Sequence, residues 1–230
     1  MKFGLIVPSS NTTMEAELWK MASGWATIHT ARMRLRKITI EELEEMEKEM
    51  LEQALCLADA KVRVIGYGCT SGSLFKGKDH GQELEQRITE KTGIPAVATA
   101  QAVIEALREL QIQKICVATP YVREINDLER RFLEQNEINV LQMKGMNLID
   151  NREIGSKDSN VTYELAKQAY IPGAQGIFIS CTNLRTIEII DRLEKELGVT
   201  VISSNTATFW AMLMKAGAQK KLEGFGKLLF

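Results

Sequence analysis

Gly66-Tyr67-Gly68-Cys69-Thr70-Ser71-Gly72 decides the reading of this chain, because its pattern returns as Gly176-Ile177-Phe178-Ile179-Ser180-Cys181-Thr182-Asn183-Leu184. Each copy is an apolar run (Val62, Val64 and Ile65 lead the first) that passes into small and hydroxyl-bearing residues, where a strand ends and the chain turns. The two cysteines, at 69 and 181, stand 112 positions apart. Lys2-Phe3-Gly4-Leu5-Ile6-Val7-Pro8 and Lys114-Ile115-Cys116-Val117-Ala118-Thr119-Pro120 keep the same offset of 112. A third pair, beginning at Gly93 and Gly198, lies 105 apart. Three matched segments in one order indicate an internal duplication of about half a chain.

Apolar strands and amphipathic helices alternate around these segments. Strands are predicted over 2–7, 27–36, 62–67, 94–98, 115–119, 138–143, 176–180 and 199–203, with helices between them and over 205–214. Strands rich in Val, Ile and Leu belong to parallel sheets covered on both faces. The expected fold class is therefore α/β: two pseudo-symmetric parallel-sheet, flavodoxin-like units with the active site in the cleft between them. Residues 1–110 plus 206–230 are expected to form the first unit and 111–205 the second.

Several local readings accompany this frame. Ser10 or Asn11 is the expected N-cap of the first helix, and Thr39-x-x-Glu42 reads as a capping box opening one long helix through Ala58. Arg32, Arg34 and Arg36 alternate with Ala31, Met33 and Leu35, as charges on a half-exposed edge strand do. Segment 74–81 reads as a mobile loop with an exposed His80, and 148–159 as a second loop. Cys56, Cys116, Trp19, Trp25 and Trp210 read as packing residues.

Composition narrows the function. The 230 residues are 45% apolar and 26% charged, as in ordinary globular proteins, and the formal net charge of −1 gives no electrostatic footprint for nucleic acid or an anionic membrane. No apolar run reaches the length of a membrane span, and the first residues lack a signal-peptide pattern. Four cysteines without a secretory signal point to free thiols in a reducing, cytoplasmic setting. With His29 and His80 the only histidines and no Cys-x-x-Cys, no metal site is expected. Gly66-x-Gly68-x-x-Ser71 lacks the third glycine of a dinucleotide fingerprint, and no Gly-Lys-Ser/Thr follows.

Ligands of parallel sheets bind beyond the carboxyl ends of the strands. Pro8-Ser9-Ser10-Asn11, Cys69-Thr70-Ser71, Pro120-Tyr121 and Cys181-Thr182-Asn183 all lie at such ends. If the units face each other, Cys69 and Cys181 meet in one cleft as candidate catalytic residues. A single strand-end cysteine is usually packing; a matched pair is better explained by chemistry. Turn N–H groups and helix N-termini lower a thiol pKa from about 8.5 and also suit a bound carboxylate. Two opposed thiols can move a proton from one face of a carbon to the other, or act as nucleophile plus acid. Cys69 is accordingly expected to alkylate faster than Cys56 or Cys116.

At Gly4–Met14, Gly68–Gly72, Thr119–Tyr121, Asp150-Asn151-x-x-Ile154-Gly155 and Ser180–Leu184 the chain resembles the aspartate/glutamate racemase superfamily, in its maleate isomerase and arylmalonate decarboxylase branch. The resemblance implies an enzyme that works without a cofactor, and a homodimer. It implies a nucleophilic Cys69 that adds to the double bond of maleate or a related small dicarboxylate, and a Cys181 that supplies and recovers a proton. It also implies carboxylate binding by Asn11, Thr70, Ser71, Tyr121, Asn151, Thr182 and Asn183. Arylmalonate decarboxylases lack the first cysteine, so Cys69 argues against that activity. The segment Ser180–Thr186 is closer to uncharacterised and ectoine-utilisation relatives. Racemisation of aspartate, glutamate or a hydantoin by the cysteine pair is the alternative activity, and a non-catalytic carboxylate binder the alternative of another class.

Overall fold

The computed structural model describes residues 1–218 and 220–230. The first half runs β1 (Lys2–Pro8), α1 (Met14–Ala22), β2 (Thr27–Met33), α2 (Ile40–Lys48), α3 (Met50–Asp59), β3 (Ile65–Tyr67), α4 (Thr70–Leu74), α5 (His80–Thr92), β4 (Ala96–Ala98) and α6 (Thr99–Glu109). The second runs β5 (Lys114–Tyr121), α7 (Arg123–Gln135), β6 (Asn139–Leu148), α8 (Asn151–Gly155), α9 (Ser159–Ala169), β7 (Gly176–Ile179), α10 (Ile190–Leu197), β8 (Thr200–Ser203) and α11 (Ser204–Lys215).

Two four-stranded parallel sheets result, ordered β2-β1-β3-β4 and β6-β5-β7-β8. The duplication extends to the register. Leu5 pairs with Gly66 and Gly66 with Val97; at the repeat offsets, Val117 pairs with Phe178 and Phe178 with Ile202. Gly93 and Gly198, the third matched pair, end α5 and α10 in the left-handed region at φ 70° and 69°. A side chain is strained there and glycine is not, which is why both helices stop at these points.

Both core clusters draw on both sheets: Phe3, Leu5 and Val7 share one with Ile115, Val117 and Phe209, and Ile6 and Tyr67 share the other with Ala118 and Ile179. The units are therefore packed together and not merely joined by chain. Glu17 of α1 adds a polar tie. It is buried, and it accepts hydrogen bonds from the N–H groups of Thr186 (2.5 Å) and Ile187 (3.2 Å), the Thr186 hydroxyl (2.9 Å) and the Asn205 amide (2.7 Å). Burial still raises its pKa, against the pull of these four donors.

Several local expectations change. The helix from Thr39 breaks at Glu49 into α2 and α3. Only half of the capping box forms: Thr39 accepts from Glu42 N–H, while the Glu42 carboxylate turns to the N–H groups of Arg36 and Lys37. Cys56 is exposed, because Ala54 and Leu57 take the inward positions of α3; Trp19 is also exposed. Segment 74–81 is a short turn between two helices, and His80 is buried edge-on against Phe75, its Nε2 3.4 Å from Glu47 Oε2. Within 148–159, α8 forms, capped by Asp150. The edge-strand reading holds for Arg32, on the edge strand β2, but the strand stops at Met33 and not at 36, so Arg34 and Arg36 are exposed beyond it.

Glu17→Ala should lower unfolding free energy by about 3 kcal/mol in urea titration, because it orphans several buried donors. Glu188→Ala, which breaks the exposed Lys20–Glu188 pair, should stay within about 0.5 kcal/mol of the parent.

Candidate active site

The first cysteine turn follows β3. Cys69 has extended backbone (φ −144°) and caps α4, its sulfur accepting the Gly72 N–H at 3.3 Å with the Ser71 hydroxyl at 3.7 Å. A Cβ on Gly72 would lie 3.0 Å from that sulfur, 3.1 Å from the Tyr67 hydroxyl and 2.7 Å from Met46 Cε, so the close approach requires glycine. Thr70 sends its hydroxyl to Ser204 at 2.8 Å. The Ser73 hydroxyl donates to the Cys69 and Thr70 carbonyls and accepts the Ala100 N–H, which fixes the turn against α6.

The second turn follows β7 and is built differently. No helix starts at Thr182; the backbone stays irregular up to α10, and Cys181 adopts φ 100°. A β-carbon in that region costs on the order of 1–3 kcal/mol. The surroundings hold it there: Cys181 N–H donates to Ser204 Oγ at 3.1 Å, and Ser180 N–H donates to the Ala118 carbonyl. The Cys181 sulfur accepts the Asn183 N–H at 3.4 Å, and the Tyr121 hydroxyl faces it. Ser204 thus receives both turns on one oxygen, Thr70 from one sheet and Cys181 from the other.

The remaining predicted residues close the cleft. Asn11 Oδ1 accepts the N–H groups of Thr13 and Met14 at 3.0 Å each, ahead of α1, whose N-cap is Thr13 and not the expected Ser10 or Asn11, while its Nδ2 donates to Thr182 Oγ1 at 3.0 Å. Thr182 passes its own proton to the Gly68 carbonyl. Asn183 accepts the Thr12 N–H at 2.9 Å and donates to the Asn151 carbonyl at 2.7 Å; Asn151 Nδ2 donates to Ser10 Oγ at 2.8 Å. A Cβ on Gly155 would strike Thr12 and the Asn183 amide, so α8 also needs glycine to seat against this network.

All nine residues are buried and belong to one connected site. Their free donors are fewer than the sequence implied. Thr182 and Asn183 have their side chains engaged by protein groups, and the Thr70 hydroxyl is given to Ser204. The side-chain donors left are Ser71 and Tyr121, which otherwise meet only the cysteine sulfurs, and the second N–H of each of Asn11, Asn151 and Asn183. Ser204, Tyr67 and Glu129 were missed. Ser204 opens α11, far from either motif; Tyr67 lies inside the opening stretch but reads there as strand; Glu129 sits in a charged helix where the other acids are solvated.

A profile of the arylmalonate decarboxylase family matches residues 3–229. The chain belongs to that family. A maleate isomerase from Geobacillus stearothermophilus is 28% identical over 242 residues, covering 99% of this chain and 96% of its own. An arylmalonate decarboxylase from Bordetella bronchiseptica is 26% identical, covering 97% and 91%. Among solved structures, the maleate isomerase Iso of Pseudomonas putida S16 has a TM-score of 0.96 at 28% identity, covering 100% of this chain and 98% of that one. A cysteine-to-serine mutant of Nocardia farcinica maleate cis-trans isomerase with a covalently bound succinylcysteine intermediate has a TM-score of 0.95 at 25% identity, covering 99% and 97%.

In this member of the arylmalonate decarboxylase family both thiols are pushed up by burial. At Cys69 the Gly72 N–H and Ser71 hydroxyl offset burial only in part. Cys181 is pushed up to about 12 by burial, despite the Tyr121 hydroxyl and Asn183 N–H, with the negative charges of Cys69 and Glu129 adding to the rise. Burial thus outweighs the turn donors, and the expected lowering of the thiol pKa is not met. With Cys56 exposed and Cys69 buried, alkylation of the folded protein should reach Cys56 before Cys69, the opposite of the order the sequence suggested.

Glu129, wholly buried, is raised to about 7 by desolvation. A carboxyl raised from about 4.5 gives stability that is full below the unfolded pKa and lost as pH rises through the folded one. Between pH 4.5 and 8 the parent should therefore lose about 3 kcal/mol more unfolding free energy than Glu129→Gln. Equal pH slopes in urea titrations of the two proteins would contradict this.

Proposed function

We propose that the protein is a cofactor-independent cis-trans isomerase of maleate or a related small unsaturated dicarboxylate. The observation that carries the reading is the pairing of two buried sulfurs from opposite sheets in one network whose spare side-chain donors are neutral hydroxyls and amides. Such donors, aimed at carboxylate oxygens, stabilise negative charge that builds on the substrate during reaction.

The Cys69 thiolate attacks one alkene carbon and forms a carbon–sulfur bond. The displaced π pair moves onto the neighbouring carbon and is shared with its carboxylate, held by Ser71, Tyr121, Asn11 and Asn151. The Cys181 thiol delivers its proton to that carbon, leaving a succinyl adduct on Cys69. Rotation about the new single bond follows. Cys181 then takes a proton back, the double bond reforms in the trans arrangement, and the carbon–sulfur bond breaks, restoring the Cys69 thiolate. Thr182, Asn183, Thr70 and Ser204 keep the two turns in position.

The relatives at 27–28% identity named as maleate isomerases, and the covalent succinylcysteine in one solved neighbour, support this over the two alternatives. Racemisation makes no carbon–sulfur bond, and a binder has no need of matched thiols. The reading includes a homodimer and a cytoplasmic setting, on the family resemblance and the four free cysteines. No helix among the described residues is long and apolar enough to cross a membrane.

Incubation of Cys181→Ala with maleate should give an adduct of one maleic acid on Cys69 by mass spectrometry, with turnover cut at least 100-fold. Cys69→Ala should give neither adduct nor turnover. In the parent, kcat/KM should climb with pH from neutral upward, because the nucleophile's pKa is raised and its thiolate is the minor form. α-Hydrogen exchange on an amino acid, with no reaction of maleate, would instead favour the racemase.

A further inference from the structure

The duplication sets a hydroxyl at the head of the helix that follows the fourth strand of each unit. Thr99 opens α6 and Ser204 opens α11, 105 positions apart, the offset of Gly93 and Gly198. Both are wholly buried, but they use their protons differently. Thr99 donates to the Tyr67 carbonyl at 3.0 Å and accepts the Thr208 hydroxyl at 3.0 Å. Ser204 only accepts. Its oxygen takes the Thr70 hydroxyl at 2.8 Å and the Cys181 N–H at 3.1 Å, and its own proton meets no acceptor among the described residues.

Thr70 and Ser204 together hold two hydroxyl protons. One lies between the two oxygens, and Thr70 Oγ1 accepts nothing else among the described residues. Whichever oxygen donates, one proton of the pair is left over. A buried donor without an acceptor is unfavourable, and this one sits between the two cysteine turns. An acceptor that brings no proton of its own, such as a carboxylate oxygen, would complete the pair.

The anchoring indicates which oxygen meets that acceptor. Ser204 Oγ is tied to the backbone of the second turn through Cys181 N–H. Thr70 directly follows Cys69, and its neighbour Ser71 has its hydroxyl 3.7 Å from the Cys69 sulfur. A hydroxyl proton turns about its C–O bond, so the pair can reverse while both oxygens stay in place. Ser204 then donates to Thr70, and Thr70 donates to the incoming oxygen. No proton is transferred; two hydrogen bonds change direction.

We propose that Ser204 is a positioning residue that makes Thr70 a carboxylate donor. Its hydroxyl turns to Thr70 when a substrate carboxylate enters, so Thr70 is released without losing its partner. Its oxygen keeps the Cys181 N–H throughout, so the second cysteine turn stays anchored while the first engages the ligand. The inference rests on the reading of the cleft as a dicarboxylate site.

The test uses succinate, a saturated dicarboxylate to which no thiol can add. Crystals of the parent soaked with succinate should show a carboxylate oxygen within about 3 Å of Thr70 Oγ1, with that atom still within about 3 Å of Ser204 Oγ. A carboxylate has no proton to give, so this arrangement requires Ser204 to donate to Thr70. In calorimetric titrations, Thr70→Val should weaken succinate binding about tenfold and Ser204→Ala about threefold. With Thr70→Val in place, Ser204→Ala should weaken it no further. A Ser204 that merely shaped the fold would weaken binding equally in both backgrounds, and that result would overturn the proposal. So would a carboxylate that meets Ser204 directly or draws Thr70 away from it. Should the variants not fold, the soaked parent decides alone. Succinate in the cleft but apart from Thr70 would overturn this inference and leave the dicarboxylate reading standing; no succinate in the cleft would overturn both.

Discussion

Asn183 spans the cleft with every polar group it has. Its side-chain oxygen takes the Thr12 N–H, its amide donates to Asn151, its carbonyl accepts the Thr13 hydroxyl, and its N–H reaches the Cys181 sulfur. Because the side chain is buried, each unmade bond would leave an unsatisfied group at a cost of about 1–3 kcal/mol. The network is thus close to all-or-none. The first helix, the second cysteine turn and α8 hold their mutual positions together, and Asn11, Thr182 and Ser204 extend the constraint to the first cysteine turn.

Duplication supplies the frame and its failure supplies the chemistry. Strand order and register repeat between the halves, so both cysteines arrive at the carboxyl end of the third strand of their sheet. The turns that follow do not repeat. Cys69 caps a short helix in extended backbone; Cys181 sits at φ 100° before an irregular segment. Small backbone differences decide which N–H groups are free. A two-thiol isomerase needs that inequality, since one sulfur must bond to carbon while the other carries the proton.

The frame was legible because it is periodic. Apolar runs, helix stripes and three matched segments are repeated many times over, and a shift of one residue would bury the wrong face. The cysteine pair was legible because it is part of the repeat. What was not legible depends on contacts far apart in sequence. Cys56 and Leu57 are neighbours with similar tolerance for burial, and only the angle at which α3 meets its sheet chooses between them. His80 lies in a polar, glycine-rich stretch whose composition says loop; its burial comes from Phe75 and Glu47 across the turn. Ser204, which joins the two cysteine turns, is one serine beside another at the start of a helix, and its role exists only once the two sheets are assembled.

The claim on which all of this depends is that both sulfurs address one carbon–carbon bond. A crystal structure of Cys181→Ala soaked with maleate tests it most directly. The account predicts continuous density from Cys69 Sγ to one central carbon, the adjacent carbon facing position 181, and the carboxylates against Ser71, Tyr121, Asn11 and Asn151. Maleate bound unattached and away from Cys69, for instance at the surface cavity of about 380 Å³ lined by Asp191, Glu194 and Lys227, would contradict it.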